Sequence, residues 1–318
     1  MKLGFAVKVL GREGLKSNDA RRWKNNPHLR VSIEYVDAIF NYLAENSIAM
    51  YRISSDFAPY LTHPTFTQFH GQLDEARGEL EALGQKARRL KLRLSFHPSQ
   101  YIILNSPDEK LFEASQRDFQ AQATMLDIME QSDEAVVVTH VGGVYGDREA
   151  SIARFIANFG RLPEAAQRRL VVENDDVSYG VGDILKIHEA TGIRCIFDHQ
   201  HHNIINDGRD AETACAQVLA TWPDDCRPKI HFSSPRRENR LIERRDRTTG
   251  KIVKSEAAPL ASQHAEMIDV ETFAPFVRGV VEKSQRDFDV MCEAKGKDLA
   301  VLQLRAELRG ETMPFPIE

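Results

Sequence analysis

Cysteine is scarce in this 318-residue chain, which contains only four, and no two are spaced as Cys-x-x-Cys. This pattern disfavours a zinc ribbon, a redox dithiol and the disulfide framework of a small secreted protein. The compartment that such a chain fits best is the reducing cytoplasm.

Long apolar runs are missing as well. No stretch approaches the ~20 apolar residues that a membrane-spanning helix needs. The chain also turns polar soon after residue 7, too early for the apolar core of a signal peptide. We therefore expect a cytoplasmic protein without a membrane partner, and no protein partner is evident.

An excess of positive charge is the third absence. The 42 basic residues are outnumbered by 47 acidic ones, so the formal net charge is −5. A chain of this charge does not attract polyanions over its whole surface. Any binding to nucleic acid must depend on a local basic patch or on bound metal.

Short β-branched runs alternate with longer amphipathic segments along the whole chain. Eight strands are predicted at residues 3–7, 49–54, 92–97, 136–140, 170–174, 194–198, 229–233 and 288–293. Helices are predicted at 32–45, 66–90, 111–131, 149–159, 182–190, 211–221, 270–283 and 298–308. No Gly-x-Gly-x-x-Gly follows the first strand, which disfavours a dinucleotide fold. Eight strand–helix repeats without a linker predict an α/β chain folded as a single (β/α)8 TIM barrel over residues 1–318.

One basic insertion, at about residues 236–254, interrupts this rhythm after the seventh predicted strand. It holds eight basic side chains against three acidic ones. Most charge runs are solvated loops. A loop after a barrel strand, however, lies on the face where active sites form, where cations suit a phosphate backbone. Both interpretations stay open, with Arg236, Arg237 and Arg240 as the candidate DNA contacts.

Alternation along the strands predicts which polar side chains point into the barrel. In the third strand the leucines and Phe96 share one face, which must contact the helices, so His97 points inward. The same test directs His231 inward in the seventh strand. The predicted inward-facing set at the carboxyl ends of the strands is His97, His140, Glu173, Asp198, His231 and Glu293.

This set has an ordinary explanation residue by residue, as core histidines and strand-end carboxylates. Six titratable groups at one mouth change that balance, because three carboxylates packed together without a cation would raise one another's pKa. Divalent metal ions remove this penalty. Nitrogen and oxygen ligands without thiolate suit manganese, zinc or iron, and the sequence does not choose among them.

Three further residues border the predicted site. His201 follows Asp198 by three residues, so one segment could supply two ions, and His264 lies beyond the basic insertion. Lys229 points inward in the seventh strand, and a buried lysine must lose its proton or find an anion. It is either a carbamate ligand formed with carbon dioxide or an ordinary salt-bridged lysine.

Seven short motifs, in order between Leu3 and about Lys297, resemble the UV damage endonucleases. These are metal-dependent DNA repair enzymes related in fold to the endonuclease IV branch of the barrel superfamily. The motifs are Arg52-Ile53-Ser54-Ser55, Ser95-Phe96-His97-Pro98-Ser99-Gln100-Tyr101, His140-Val141-Gly142-Gly143-Val144-Tyr145-Gly146-Asp147, Glu173-Asn174-Asp175-Asp176, Asp198-His199-Gln200-His201-His202, Lys229-Ile230-His231-Phe232-Ser233 and Glu293-Ala294-Lys295-Gly296-Lys297-Asp298.

The resemblance implies a site of up to three divalent ions, with manganese expected and zinc as the alternative. Glu173 and Glu293 would bridge two of the ions. The other implied ligands are His97 and His140 for the first ion, Asp198 and His231 for the second, and His201 and His264 for the third, with a carboxylated Lys229 beside them.

The resemblance also implies residues that contact the lesion. Gln100 and Tyr101 match a pair that the family inserts into the duplex, where damage has already weakened base stacking. Without the motif, Tyr101 would be an aromatic packed on the barrel rim. Phe5 stands where some relatives have tyrosine, and stacking on flipped bases is the role left to it. His63 matches a further catalytic histidine, although nearby His70 could be confused with it.

The predicted function is metal-assisted hydrolysis of damaged double-stranded DNA, immediately 5′ to UV photoproducts and other distorting lesions. The products would be a 3′-hydroxyl and a 5′-phosphate, made in the cytoplasm at the nucleoid. A sugar isomerase or epimerase of the same superfamily is one alternative, disfavoured by the basic insertion and by Gln100 and Tyr101. A non-catalytic damage binder is another, disfavoured by the complete ligand set.

Overall fold

The computed structural model describes residues 1–245, 250 and 252–318. In chain order, the strands in these residues are β1 (Leu3–Ala6), β2 (Met50–Arg52), β3 (Arg93–Phe96), β4 (Val136–His140), β5 (Leu170–Glu173), β6 (Arg194–Ile196), β7 (Lys229–Phe232), β8 (Arg240–Arg245), β9 (Ile252–Ala257) and β10 (Asp289–Cys292).

Eight of these strands form one parallel sheet in the order β6-β5-β4-β3-β2-β1-β10-β7. The ends of the sheet approach each other through a parallel bridge between Asp198 and His231. The backbone N–H of His231 also donates to the carbonyl of Phe197 at 2.8 Å. The sheet is therefore a nearly closed barrel, and the eight predicted strands and the barrel fold are confirmed.

The helices of the described residues are α1 (Leu29–Glu45), α2 (Gln72–Glu75), α3 (Arg77–Arg89), α4 (Glu109–Ile128), α5 (Arg148–Phe159), α6 (Glu164–Arg169), α7 (Val181–Thr191), α8 (His199–Ile204), α9 (Ala211–Leu219), α10 (Val270–Ser284) and α11 (Lys297–Glu307). Five of them begin directly after an aspartate whose side chain accepts a backbone N–H of the first turn, which stabilises a helix start. None of these helices combines the length and the apolar character that crossing a bilayer demands.

The long helix predicted at residues 66–90 is wrong. The structure divides this segment into a 3-10 turn at Thr67–Phe69, the single turn of α2, and α3. The Gln72 side chain explains the division, because its amide donates to the carbonyls of Pro59 and Phe69 and accepts from the N–H of Leu29. These bonds hold the segment as a connector beneath the barrel mouth.

Alternation along the strands separates two cores, as predicted. Leu94, Phe96, Ile230 and Phe232 belong to the large core between the barrel and the helices. A smaller core inside the barrel contains Val136, Val138, Val171 and Ile196, with Trp222 and Cys226 below them. Polar side chains at the carboxyl ends of the strands therefore meet above an apolar plug.

The basic insertion is also different from the predicted loop. Its described residues form a two-stranded antiparallel sheet, in which Arg240 of β8 pairs with Ala257 of β9. The charges are interrupted by two adjacent pairs of apolar, mostly β-branched residues, Leu241-Ile242 and Ile252-Val253, which favour strands and which the charge count concealed. Asp246, Arg247 and Lys251, which the prediction included, lie outside the described residues.

Candidate metal centre at the barrel mouth

The carboxyl ends of neighbouring strands supply the candidate metal ligands. His140 and Glu173 are the last residues of β4 and β5, where they are paired in register. His97 follows β3 directly, and His231 lies in β7. Because each side chain points into the barrel, the strands bring them to a common point above the inner core.

Glu173 lies at the centre of this arrangement. Its Oε1 is 2.6 Å from Nδ1 of His231, and its Oε2 is 3.3 Å from Nε2 of His97 and 3.9 Å from Nε2 of His140. Two groups of three have ligand atoms within 4.8 Å of one another: His97, His140 and Glu173, and Glu173, Asp198 and His231. One carboxylate is therefore shared by two candidate metal sites.

Asp198 is fixed on three sides. Its backbone N–H and C=O both bond to the side-chain amide of Asn174, at 2.9 and 3.1 Å. Its carboxylate caps α8 by accepting the N–H of His201 at 2.8 Å. The His201 Nδ1 lies 3.7 Å from that carboxylate and 3.9 Å from Glu173. The three-residue spacing noted in the sequence is thus that of a helix cap and its first turn.

Glu293 enters the cluster with a cationic partner that the sequence analysis did not assign. Its carboxylate lies 3.3 Å from Nδ1 of His231 and accepts a hydrogen bond from Arg52 of β2. The Arg52 guanidinium is also 3.4 Å from Nε2 of His231. His264 hydrogen-bonds through Nδ1 to the main-chain carbonyl of Glu293. The structure therefore brings His264 and Glu293 to the border of the cluster.

The carboxylates of this cluster do not all respond to burial alike. Burial raises the pKa of Asp198 to about 7, helped by Glu173 and Glu293 and opposed by His201. Burial also acts to raise the pKa of Glu173 and of Glu293. For Glu173 the nearby imidazoles outweigh it, and for Glu293 Arg52 and His231 do, so both pKa values are lowered. The mutual raising expected from the sequence is therefore wrong for both glutamates.

The histidines divide in the same way. Burial lowers the pKa of His231 to about 4, despite its contacts with Glu173 and Glu293. For His201 burial also acts to lower the pKa, but Asp198 and Glu173 outweigh it and raise the value to about 9. The metal-free cluster therefore retains protons that a cation would displace.

The donor set fits a divalent metal ion. Imidazole nitrogens and carboxylate oxygens suit manganese, iron and zinc. Oδ2 of Asp198 and Nδ1 of His140 are buried and have no hydrogen-bond partner among the described residues. Buried polar atoms are normally satisfied, so orphaned ligand atoms at this position are explained if a cation completes them. The buried cluster can bind metal.

Lys229 lies fully buried two residues before His231 in β7, and its Nζ also has no hydrogen-bond partner within the described chain. Burial, with the positive charges of Arg52 and Arg93, lowers the pKa of Lys229 well below its usual range. The ordinary salt bridge expected as one alternative is absent from the described contacts. Burial at this position therefore favours the neutral form of the amine.

The three residues expected to contact the lesion or assist catalysis lie on the loops of this face. Gln100 and Tyr101 are exposed on the loop after β3, and Tyr101 is 71% exposed. His63 is half-buried on the loop after β2, where its ring stacks on Phe66 at 4.1 Å. The Nε2 of His70 bonds to the carbonyl of His63, which distinguishes the two histidines. Their roles stay predictions.

The stacking expected of Phe5 is wrong. Phe5 is fully buried and packs edge-on against Tyr51 of β2, with ring centroids 5.5 Å apart. It belongs to the core between the barrel and the helices. No base can reach it, and the alternation test that placed His97 would have directed Phe5 outward as well.

The three arginines of the basic insertion that were named as candidate DNA contacts differ in how far they are engaged by other residues. Arg237 is exposed and its guanidinium lies 3.2 Å from Asp269. Arg236 and Arg240 are half-buried and donate to backbone carbonyls, of Glu238 and Ala258 respectively. Arg237 is thus the arginine of this set that is most available to a phosphate.

Lys297 is a second cation that sequence reasoning left without a role. It lies inside the last of the seven motifs, after Glu293, and burial lowers its pKa, opposed by Glu293. The signal for Lys297 and Arg52 was their place inside quoted motifs. Residue type alone did not separate them from surface charges.

Barrel and cluster together define a class of protein, namely a parallel β/α barrel with a buried histidine–carboxylate centre at its mouth. The model of one family, the UV-endonuclease UvdE family, matches residues 28–313. The chain belongs to that family. A UV DNA damage endonuclease from Bacillus velezensis is 32% identical over 274 residues, covering 84% of this chain and 77% of the relative. One from Bacillus mycoides is 31% identical, covering 87% and 80%.

Solved structures agree with this placement. The crystal structure of SacUVDE is similar over 98% of both chains, with a TM-score of 0.80 and 30% identity. A D-psicose 3-epimerase shares the barrel over 98% of this chain and 99% of its own, with a TM-score of 0.55 and 11% identity. That likeness shows the fold alone.

Proposed function

We propose that this chain is a metal-dependent endonuclease that nicks double-stranded DNA immediately 5′ to UV photoproducts and other distorting lesions. The observation that carries the proposal is the buried cluster around Glu173, on the face of a barrel from a UV-endonuclease family. The products are a 3′-hydroxyl and a 5′-phosphate. The enzyme works in the cytoplasm, on the chromosome.

The proposed metal ligands are the residues that the strands bring together, with manganese as the preferred ion and zinc as the alternative. When bound, such ions activate water and neutralise the charge that develops on a phosphodiester. The proposed ligands are the members of the two groups that share Glu173 and the residues at the border of the cluster. The full proposed set is His97, His140, Glu173, Asp198, His201, His231, His264, Glu293 and Lys229.

Two of these residues have more specific proposed roles. Glu173 holds both ligand groups together, because its two oxygens face different histidines. Lys229 is proposed as a carboxylated side chain. Burial favours the unprotonated form of its unpartnered amine. In that form the nitrogen can bond to the carbon of carbon dioxide and release a proton, and the resulting carbamate is an anion beside the histidines.

The remaining positive charge positions the DNA. Arg52 and Lys297 lie beside the cluster, and Arg236, Arg237 and Arg240 lie on the insertion after β7. A chain with net charge −5 attracts DNA only where such groups and metal ions are concentrated. Gln100 and Tyr101 insert into the duplex where damage has weakened base stacking. His63 assists catalysis at the cleavage site.

The decisive variant is Glu173→Gln, which keeps the size of the side chain and removes its charge. Nicking of UV-irradiated plasmid with added manganese should fall at least about a hundredfold, the scale seen when a charge-stabilising group is removed from an active site. Glu189→Gln, an exposed change on α7, is the matched control and should nick like wild type. Undiminished nicking by Glu173→Gln would remove the metal mechanism.

The same assay separates the alternatives. A damage-binding protein without catalysis would bind an irradiated duplex and leave it intact. A sugar epimerase would show no preference for irradiated DNA. Purified protein analysed for its metal content would identify the ion.

A further inference from the structure

The large apolar side chains that are exposed in the described part of the chain lie on one face of the barrel. Every large apolar residue that is exposed there lies between the carboxyl end of a barrel strand and the first turn of the following helix. Contiguous apolar exposure marks binding surfaces, whereas single exposed apolar residues are ordinary. This face is also the one that holds the candidate metal centre.

Three of these residues form a regular pattern around that centre. The neighbouring strands β3, β4 and β5 end in His97, His140 and Glu173, which make one candidate ligand group. An exposed apolar residue follows each of these by four or five positions. These three residues, which we name the apolar rim, are Tyr101, Tyr145 and Val177.

The loops that carry the apolar rim are tied together at one atom. The carbonyl of Gly143, on the loop after β4, accepts from the side-chain amide of Asn105 at 2.7 Å. It also accepts from the hydroxyl of Tyr179 at 3.1 Å. Asn105 belongs to the loop after β3 and Tyr179 to the loop after β5, so three loops share one hydrogen-bonding point.

Val177 is held rigidly although it is 76% exposed. The carboxylate of Asp175 accepts the backbone N–H groups of Val177, Ser178 and Tyr179, at 2.9, 2.5 and 3.0 Å. A loop fixed by three such bonds presents its apolar side chain to solvent at little further entropic cost on binding.

Tyr145 is presented in a similar way. Its backbone has a φ of 50°, in the left-handed region that a tyrosine rarely adopts. The Arg154 guanidinium lies 5.5 Å from the ring centroid, and a Cβ at Gly143 would lie 3.1 Å from the Tyr145 ring, which is a tight contact. The phenol is nevertheless 47% exposed. Backbone strain retained at a functional face is a reason to infer function.

Carboxylates flank the apolar rim and disfavour phosphate as its partner, because the nearest arginines, Arg148 and Arg154, are engaged by Asp183 and by the ring of Tyr145. Asp176 adjoins Val177, and Asp147 and Glu149 follow Tyr145 on exposed positions. These carboxylates would repel a DNA backbone. Apolar side chains flanked by acids are suited to the faces of unstacked bases, which carry no formal charge.

We propose, resting on the proposed function, that Tyr145 and Val177 are further DNA-contacting residues, packing with Tyr101 against bases unstacked at the lesion. The chemical class of the partner is a locally opened DNA strand. An intact duplex offers these side chains little, since its bases are covered by stacking.

The test is equilibrium binding of a labelled duplex with one UV photoproduct to the metal-loaded protein, measured by fluorescence anisotropy. The duplex carries a nuclease-resistant methylphosphonate linkage immediately 5′ to the photoproduct so that no cleavage occurs. Val177→Ser and Tyr145→Asn remove the apolar groups, and asparagine tolerates the left-handed backbone at position 145. Each should weaken binding to the damaged duplex about tenfold, the scale of an interface anchor. Binding to the undamaged duplex should change less than about twofold, because uniform phosphate contacts dominate it.

Matched controls isolate the cause. Val177→Ile and Tyr145→Phe keep the apolar surface and should bind like wild type. Arg237→Ala should weaken both duplexes alike and reduce the salt dependence by about one unit, whereas the rim variants should leave that slope unchanged. Wild-type affinity in both rim variants, or equal loss on both duplexes, overturns the proposal. Rim-dependent binding by a wild-type protein that fails to nick would keep the apolar rim and overturn the nuclease function alone.

Discussion

Glu173 sets the electrostatics of the candidate centre. It has imidazoles on both oxygens, at 2.6 Å to His231 and 3.3 Å to His97. Asp198 lacks such company on Oδ2, and burial raises its pKa to about 7. Glu173 and Asp198 therefore lose their protons at different pH, because the pKa of Glu173 is lowered and that of Asp198 is raised.

This difference predicts that metal binding releases protons in a pH-dependent way. In the metal-free protein Asp198 titrates near 7 and His201 near 9, since their pKa values are raised. At pH 6 a cation must displace a proton from both residues, and at pH 8 mainly from His201. Manganese affinity should therefore rise, and the number of released protons fall, between pH 6 and pH 8.

Calorimetric titration in two buffers of different ionisation enthalpy measures the released protons. His188→Gln on α7 is the control, because this histidine bonds to the carbonyl of Ile193, away from the cluster. Equal proton release at both pH values would contradict the assignment of the raised pKa to Asp198.

Individual site residues were predictable to the extent that strand alternation controls them. His97 and His231 follow from the apolar faces of β3 and β7, and both lie inside the barrel. The role of Arg52 was not predicted, because it depends on Glu293, a residue 241 positions away in the chain. Contacts between distant strands are set by barrel closure, which no local pattern contains.

At the scale of elements, the loop after β5 is more ordered than its exposure suggests. Replacing Asp175 by alanine removes one acceptor from three backbone N–H groups. We expect Asp175→Ala to loosen the loop and to weaken binding of the photoproduct duplex by several-fold, although Val177 itself is unchanged. Hydrogen exchange at the amides of residues 177–179 should become faster in the same variant.

The control for this prediction is Asp175→Asn, whose side-chain oxygen can still accept these bonds. It should retain most of the protection and most of the affinity. If Asp175→Ala loses amide protection yet binds the damaged duplex like wild type, the order of the loop has no part in recognition.

The elements themselves were predicted best where the apolar period was regular. The eight barrel strands agree with their predictions to within a few residues, because buried parallel strands are nearly continuous apolar runs. The hairpin β8–β9 and the short helices α6 and α8 were missed. Charged residues or histidines interrupt the apolar period in these segments. In α6 and α8 that period also spans only one or two helical turns.

For the whole molecule, stability and chemistry lie at opposite ends of the barrel. At the end remote from the metal centre, Arg93 and Asp289 form a fully buried ion pair of 2.8 Å. Asp289→Ala would leave a buried guanidinium without its counter-charge, and we expect a loss of about 3–5 kcal/mol in the free energy of unfolding. Urea denaturation measures it.

Two further variants serve as controls for the predicted loss of stability in Asp289→Ala. Glu149→Ala breaks an exposed pair with Lys186 and should change the free energy of unfolding by less than about 1 kcal/mol. Arg93→Met combined with Asp289→Leu should recover part of the stability, because it removes both charges of the pair together. Recovery is incomplete because Asp289 also accepts the backbone N–H of Lys2 at 2.8 Å and faces Arg227 at 3.5 Å. A loss below about 1 kcal/mol for Asp289→Ala would show that Arg93 finds other compensation.

The contact between the ends of β6 and β7 closes the barrel beside the candidate metal centre. Among the described residues these strands meet at the Asp198–His231 bridge and the bond from His231 to Phe197. Both members of the bridge are candidate ligands, so a bound cation would link the ends of β6 and β7 where the barrel closes. A bound cation would therefore stabilise the closed barrel in addition to serving the reaction, so that metal removal would lower the free energy of unfolding.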